Sequence, residues 1–150
     1  MTAPINMKLT IKDIIAHIET NMDKWLFVGH VASCHINATT EELQARLGKY
    51  ENGKLVTRSS TFIDESYGDD IIDGLTAALE NRAAEILDWI YHGKRAVASM
   101  YFDKFPDGVS GVSCSISNEN PVQANGYIIL LCKNEQYPFY LLNAYPVAYF

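Results

Sequence analysis

Apolar residues in the first quarter of the chain follow a helical period. They recur at three- and four-residue steps: Ile11, Ile14, Ile15, Ile18 and Met22. This spacing predicts an amphipathic helix with one buried face. Thr10 and Asp13 form a capping-box pattern at its start, and Thr39 with Glu42 predicts a second, shorter helix that stops near Gly48.

Two more helices are expected in the middle of the chain. Asp64 is a candidate cap for the third, whose apolar positions are Ile71, Ile72, Leu75 and Leu79. The fourth is expected from about Ala83 to Tyr91, ending at Gly93.

The pattern then changes to short strand-like runs separated by Pro, Gly and Asn turns. The four candidate strands are Arg95–Phe102, Val109–Ser117, Gly126–Lys133 and Phe139–Tyr145. Connections without a helix demand antiparallel pairing. The sequence therefore predicts an α+β fold in which N-terminal helices pack on a C-terminal antiparallel β-sheet.

Composition is consistent with one domain spanning 1–150, with an N-terminal helical segment at about 1–28. The chain has 150 residues, of which 48% are hydrophobic, enough for a core without covalent staples. No apolar run is long enough to span a bilayer, and the N-terminus lacks the basic stretch and apolar core of a signal peptide.

The three cysteines predict a protein that works in a reducing compartment. Cys34, Cys114 and Cys132 match no zinc motif, and three cannot all pair within one chain. We expect them to be reduced, mostly buried side chains. A disulfide between Cys114 and Cys132 is the alternative if they lie on adjacent strands.

The net charge of −6 argues mildly against nucleic-acid binding, because phosphate contacts need lysine and arginine. A local cationic patch can nevertheless suffice at a site. Arg46, Lys49, Lys54 and Arg58 form such a cluster in sequence. They are interpreted either as a phosphate track or as an ordinary solvated face.

Two groups in this region suit metal-free phosphodiester chemistry. His35 titrates near neutral pH and so suits general acid or base work. Arg46 has a planar fork that donates two parallel hydrogen bonds to a phosphate. Each residue alone is weak evidence, since a lone histidine before a helix is more often a cap or a surface residue.

The last strand candidate offers a second polar pair. Side chains two apart in a strand share a face, so Asn143 and Tyr145 are expected to project together, on the same side as Phe139 and Leu141. Taken alone, this is most simply a structural tyrosine satisfied by backbone groups.

Taken together, these segments resemble the ribonuclease A-like toxin domain at the C-termini of bacterial contact-dependent growth inhibition and other polymorphic toxins. The matching features lie between about residues 30 and 147: His35, Arg46 eleven residues later, Ser60-Thr61-Phe62, Trp89 and Asn143-Ala144-Tyr145-Pro146. The chain departs at Asn143, where that family usually carries threonine. The resemblance implies a ribonuclease A-like fold without disulfides.

The resemblance also implies a function and a site. The function is metal-independent RNA cleavage by transesterification, leaving a 2′,3′-cyclic phosphate, by a toxin that a producer bacterium delivers into the cytoplasm of a target cell. A cognate immunity protein would be its partner. The implied catalytic residues are His35, Arg46, Tyr145 and Asn143. Ser60, Thr61 and His30 are the implied substrate-binding residues, and Lys49 of the cationic cluster is a further candidate for substrate binding.

The sequence leaves several alternatives open. His30 is interpreted either as a second acid or base or as a structural residue. A zinc site from His30, Cys34 and His35 is possible on residue type alone, although the spacing matches no known module, and we expect no metal or other cofactor. The chain could also be a catalytically inactive RNA- or protein-binding member of the same fold, or an immunity or other interaction protein.

Overall fold

The computed structural model describes residues 8–28, 31, 35–135 and 138–148, so His30 and Cys34 lie outside the described residues. The helices are α1 (Ile11–Val28), α2 (Thr40–Arg46), α3 (Asp69–Glu80) and α4 (Ala83–His92). The strands are β1 (Tyr50–Glu51), β2 (Lys54–Leu55), β3 (Arg58–Asp64), β4 (Val97–Phe102), β5 (Val109–Ser115), β6 (Val122–Gln123), β7 (Gly126–Lys133) and β8 (Phe139–Val147).

Both predicted capping boxes are present. The Thr10 backbone N–H donates to the Asp13 carboxylate at 2.7 Å, and the Asp13 N–H donates to the Thr10 hydroxyl at 3.3 Å. Thr39 and Glu42 make the same reciprocal pair at the start of α2. Because these contacts are local, the sequence pattern alone was sufficient to predict them.

Asp64 caps the third helix from a distance. Its buried carboxylate accepts hydrogen bonds from the backbone N–H groups of Gly68 and Ile71 and from the Ser66 hydroxyl. Burial by itself raises the pKa of Asp64, but the hydrogen bonds from Ser66, Ile71 and Gly68 outweigh it and lower the pKa below its ordinary value. The charged form is therefore the one that anchors the turn before α3.

The strands form two three-stranded antiparallel sheets, in the orders β3-β5-β6 and β4-β7-β8, and β1 and β2 form a separate hairpin. The α+β fold with antiparallel sheets is confirmed, but the expectation of helices alone in the first half is wrong. Ser59, Ser60 and Thr61 lie within β3 and pair with β5, and this long-range pairing overrides the weak strand preference of the two serines.

The core joins the first helix to both sheets. The buried face of α1 consists of Ile14, Ile18, Met22 and Leu26. These side chains share one hydrophobic cluster with α3, α4 and the inner faces of β7 and β8. Cys114 and Cys132 are both free, so the alternative of a disulfide between them is wrong. Among the described helices, none is long and apolar enough to cross a bilayer.

A bulge in β8 reverses the expected orientation of its last residues. Leu131 pairs with Leu141 and Leu130 pairs with Asn143, so Leu142 is an extra residue without a partner on β7. The extra residue moves the alternation of side chains by one position. Phe139 and Leu141 point into the core, whereas Asn143 and Tyr145 lie on the opposite face. The prediction that all four share one face is therefore wrong.

Candidate active site

A groove with a volume of about 910 Å³ opens between the two sheets beside the β1–β2 hairpin. One side, called here the hairpin wall, consists of His35, Arg46, Glu51, Asn52, Lys54, Leu55, Val56, Thr57, Arg58, Ser60 and Ser113. The other side, called here the sheet wall, consists of Ile128, Leu130, Leu142, Asn143, Tyr145, Pro146, Val147 and Ala148. The end of α2 contributes Arg46 to the groove, and most of the other lining residues come from strands and the turns between them.

His35 is held at the base of the hairpin wall. It is 6% exposed, and its Nδ1 lies 2.9 Å from the backbone oxygen of Ser60. A carbonyl oxygen only accepts, so Nδ1 carries the proton in this contact and Nε2 is the basic nitrogen of the neutral ring. The His35 ring lies 5.8 Å from the Tyr145 ring, centroid to centroid.

The chain that follows His35 is fastened to β3. Ile36 makes a parallel bridge with Phe62, and the Asn37 N–H donates to the Phe62 oxygen at 2.8 Å. The Thr61 hydroxyl accepts from the Ala38 N–H at 3.0 Å and donates to the Phe62 oxygen. These bonds restrict the backbone beside His35 and thereby the position of its ring.

Arg46 is the last residue of α2 and forms an ion pair across the hairpin. Its Nε donates to Glu51 Oε1 at 3.3 Å, and its Nη2 donates to Glu51 Oε2 at 3.2 Å. Among the described residues, the buried Nη1 has no hydrogen-bond partner. Leaving a buried donor unsatisfied costs about 1–3 kcal/mol, so Nη1 is a donor that an acceptor in the groove could satisfy.

The hairpin that carries Glu51 is closed by a tight turn. Asn52 and Gly53 both have positive φ angles, 50° and 78°, as a two-residue type I′ turn requires. At its base the Gly48 N–H donates to the Val56 oxygen at 2.9 Å and the Val56 N–H donates to the Lys49 oxygen at 2.8 Å. The end of α2 and the hairpin therefore form one locally closed unit.

On the sheet wall, the bulge at Leu142 turns two polar side chains toward the groove. The Asn143 amide oxygen accepts from the backbone N–H of Ala144 at 2.9 Å, which orients the amide group. Burial raises the pKa of the Tyr145 hydroxyl above its ordinary value. At neutral pH Tyr145 is therefore a protonated hydrogen-bond donor.

The groove is locally cationic although the protein is acidic. Arg46, Lys54 and Arg58 line it, and Glu51 is its one lining carboxylate among the described residues. Among the described residues that line the groove, three cations stand against one carboxylate, which gives the hairpin wall a net positive charge. Such a charge attracts an anionic ligand.

The structure brings together five of the eight residues that were singled out from the sequence. His35, Arg46, Ser60, Asn143 and Tyr145 all line the groove. Thr61 and Lys49 are not among the residues that line it. Thr61 is fully buried, and its hydroxyl binds the segment after His35 instead of facing the groove. Lys49 is exposed and lies just before β1. His30 lies outside the described residues.

Glu51 is a residue of the groove that was not predicted from the sequence. Its connection to Arg46 depends on the hairpin, and the signal for that hairpin is the dipeptide Asn52-Gly53, which is a strong indicator of a two-residue turn. Recognising this turn would have placed Glu51 opposite Lys54 and close to the end of α2. Within the described part of the chain, no group of three or more His, Cys, Asp or Glu side chains is placed to hold a metal ion.

Comparison with known proteins finds a matching family and a solved structure with a similar fold. Residues 29–146 match the family described as "Bacterial CdiA-CT RNAse A domain". The fold is similar to a chain in the crystal structure of a CdiA-CT/CdiI complex from Y. kristensenii 33638, with a TM-score of 0.65 and 17% sequence identity over 79% of this chain and 99% of that chain. No curated protein sequence matches the chain.

Proposed function

Because the chain belongs to the bacterial CdiA-CT RNAse A domain family, we propose that its groove cleaves RNA without a metal ion. The reaction is a transesterification in which the RNA 2′-oxygen attacks the adjacent phosphorus and the 5′-oxygen leaves, giving a 2′,3′-cyclic phosphate. The observation that carries this proposal is that His35, Arg46, Asn143 and Tyr145, from two distant chain segments, line one groove.

His35 exchanges the proton in this reaction. Its Nδ1–H donates to the Ser60 oxygen, so Nε2 takes the proton of the attacking 2′-hydroxyl and returns it to the departing 5′-oxygen. The hydrogen bond also fixes the ring plane and the tautomer of the neutral ring.

The remaining polar groups stabilise the phosphate as negative charge builds on its oxygens. Arg46 supplies its guanidinium, whose buried Nη1 is paired with no described residue. Tyr145 supplies a phenolic hydrogen that burial keeps in place at neutral pH. Asn143 contributes its amide to binding and orientation of the substrate, because an amide can donate and accept hydrogen bonds but does not shuttle protons.

Lys54 and Arg58 extend the cationic surface along the hairpin wall, where they would contact neighbouring phosphates. Ser60 lines the same wall, where it would contact the nucleotide. An arrangement of local cations in an acidic protein favours binding of a short stretch of RNA over general adhesion to nucleic acid.

The biological role that we propose is that of a toxin in contact-dependent growth inhibition. It would be delivered by a producer bacterium, act on RNA in the cytoplasm of a target cell, and be neutralised by a cognate immunity protein. Family membership supports the toxin role, and the structurally similar chain comes from a CdiA-CT/CdiI complex.

The test is cleavage of total bacterial RNA and of a defined oligoribonucleotide in excess chelator. We expect cleavage to persist in chelator, with 2′,3′-cyclic phosphate at the new ends and with no cleavage of the matching DNA strand. Activity that disappears on chelation and returns with magnesium or zinc contradicts the metal-free mechanism. Absence of any cleavage, with the protein folded, contradicts the enzyme assignment.

Asn143 favours a second candidate function. It stands where the family usually carries threonine, and a chain that has lost the hydroxyl could retain the groove as a binding site only. Such a protein would bind the RNA oligonucleotide in a salt-dependent manner and leave it intact.

A further inference from the structure

We infer that Glu51 is a positioning residue, which holds the guanidinium of Arg46 so that one defined edge faces the substrate phosphate. This inference rests on the proposed function, in which Arg46 contacts the phosphate. A carboxylate in a groove for RNA is otherwise unfavourable, because it repels the phosphodiester backbone.

The geometry separates the two edges of the guanidinium. Four of its five N–H groups form two edges: a side edge, made by Nε and one N–H of Nη2, and an end edge, made by one N–H of Nη1 and the second N–H of Nη2. Glu51 occupies the side edge with both carboxylate oxygens. The end edge includes the buried Nη1, which has no partner among the described residues. Arg46 lines the groove, so a side-chain movement that uncovers Nη1 would let a phosphate bind the end edge in bidentate fashion without displacing Glu51.

The hairpin holds Glu51 at a defined position beside Arg46. Arg46 ends α2, and the five-residue step to Glu51 is closed by main-chain hydrogen bonds at the base of the hairpin. The tight Asn52-Gly53 turn keeps β1 and β2 in one register. Glu51 is more exposed than Arg46, at 46% against 22% of the side chain. Arg46, the more buried partner, is thus oriented by the carboxylate of Glu51, which the closed hairpin holds in place.

The alternative is that Glu51 competes with RNA for Arg46. The two possibilities predict opposite effects of removing the carboxylate. A competitor suppresses binding, so its removal lowers KM and leaves kcat unchanged or raised. A positioning residue acts in the transition state, where misplacement of a catalytic group costs rate, so its removal lowers kcat.

The kinetic test compares Glu51→Ala and Glu51→Gln with Glu65→Gln, a charge-matched control at an exposed site outside the groove. We expect Glu51→Ala to lower kcat by about tenfold to a hundredfold, with KM unchanged or lower. Glu51→Gln should recover part of the loss because it keeps an acceptor for one N–H group. Glu65→Gln should behave as wild type. An unchanged or increased kcat in folded Glu51→Ala overturns the inference.

A spectroscopic test does not need cleavage. The Arg46 side-chain Nε–H signal is followed by NMR, with and without a short DNA oligonucleotide, which lacks the attacking 2′-hydroxyl. In the wild type we expect slow hydrogen exchange and little change at Nε when DNA binds; in Glu51→Ala exchange should be fast. The inference is overturned by Nε–H exchange that is equally slow in the wild type and in Glu51→Ala. It is also overturned if DNA binding makes exchange at Nε fast in the wild type, because this would mean that DNA displaces Glu51. A wild type that cleaves no RNA defeats the proposed function, while this signal still decides the role of Glu51.

Discussion

The two walls of the groove position their polar side chains by different means. On the hairpin wall, Arg46 is set by contacts that are close in sequence, through Glu51 and the Asn52-Gly53 turn. On the sheet wall, Asn143 and Tyr145 are set by a bulge in β8 that exists only because β8 pairs with β7. The first wall carries the charge, and its hairpin residues are exposed although His35 and Ser60 at its base are buried; the second wall is backed by the buried core.

This difference predicts that the two walls contribute differently to ligand binding and to stability. Cations on a solvated hairpin can attract and release an anionic chain, and their effect is tuned by salt. A central sheet resists deformation, because moving its residues disturbs a close-packed core. We therefore expect changes on the hairpin wall to alter activity with little effect on stability. Changes in the sheet behind the other wall should alter stability.

The largest expected effect concerns His35, which lies where the hairpin wall meets Tyr145 of the sheet wall. His35→Ala should lower kcat/KM for RNA by about a hundredfold or more, because it removes the acid or base. The matched control is His92→Ala at the exposed end of α4, outside the groove. Equal activity of the two variants in a cleavage assay would remove His35 from the mechanism.

Arg46→Lys should have the next largest effect. Lysine keeps the charge but replaces a planar fork by a single ammonium group, so we expect a loss of about tenfold to a hundredfold in kcat. The control is Arg82→Lys, because Arg82 also forms an ion pair with a glutamate, Glu85, but lies outside the groove. Thermal unfolding should show Arg46→Lys to be as stable as the wild type. Full activity in Arg46→Lys would mean that only the charge matters.

Unfolding at alkaline pH tests whether burial in the sheet behind the sheet wall contributes to stability. Burial raises the pKa of Tyr127, on the core face of β7, to about 12, with Arg82 partly opposing the shift. The stabilisation from this raised pKa is complete below pH 10 and is lost as the pH rises toward 12, because the unfolded chain releases the phenolic proton first. The free energy of unfolding should fall there by about 1.4 kcal/mol per pH unit from this residue.

Tyr127→Phe should remove that part of the slope in denaturant titrations between pH 10 and 12. Tyr67→Phe, at a highly exposed tyrosine, should leave the slope unchanged. Identical slopes in the wild type and Tyr127→Phe would show that Tyr127 is not protected by burial, and would weaken the distinction between the walls.

The same contrast explains what could be predicted from the sequence. The capping boxes of α1 and α2 depend on residues three apart, and β7 was predicted with the bounds that the structure shows. In contrast, the strand state of Ser59–Thr61 depends on β5, about fifty residues later.

The candidate site follows the same rule. The resemblance to a toxin family selected the residues that line the groove, but their geometry was not readable from strand alternation. A strict two-residue period put Asn143 and Tyr145 beside Phe139 and Leu141, and only the pairing with β7 reveals the extra residue, Leu142. Glu51 was overlooked because ion pairing across a turn requires the turn to be recognised first.

The smallest expected effect concerns Asn143, the residue that departs from the family pattern. Its amide oxygen accepts from the Ala144 N–H, so its local role is hydrogen bonding from a strand whose position the bulge has already set. Asn143→Thr should therefore leave the RNA cleavage rate within roughly tenfold of wild type, about the 1.4 kcal/mol of one altered hydrogen bond. The β-branched threonine suits the strand, so stability should not fall. If the native chain is inactive and Asn143→Thr cleaves RNA strongly, the hydroxyl takes part in the chemistry. The sheet wall would then supply a reactive group as well as a rigid frame, and the native protein would be an inactive member of its family.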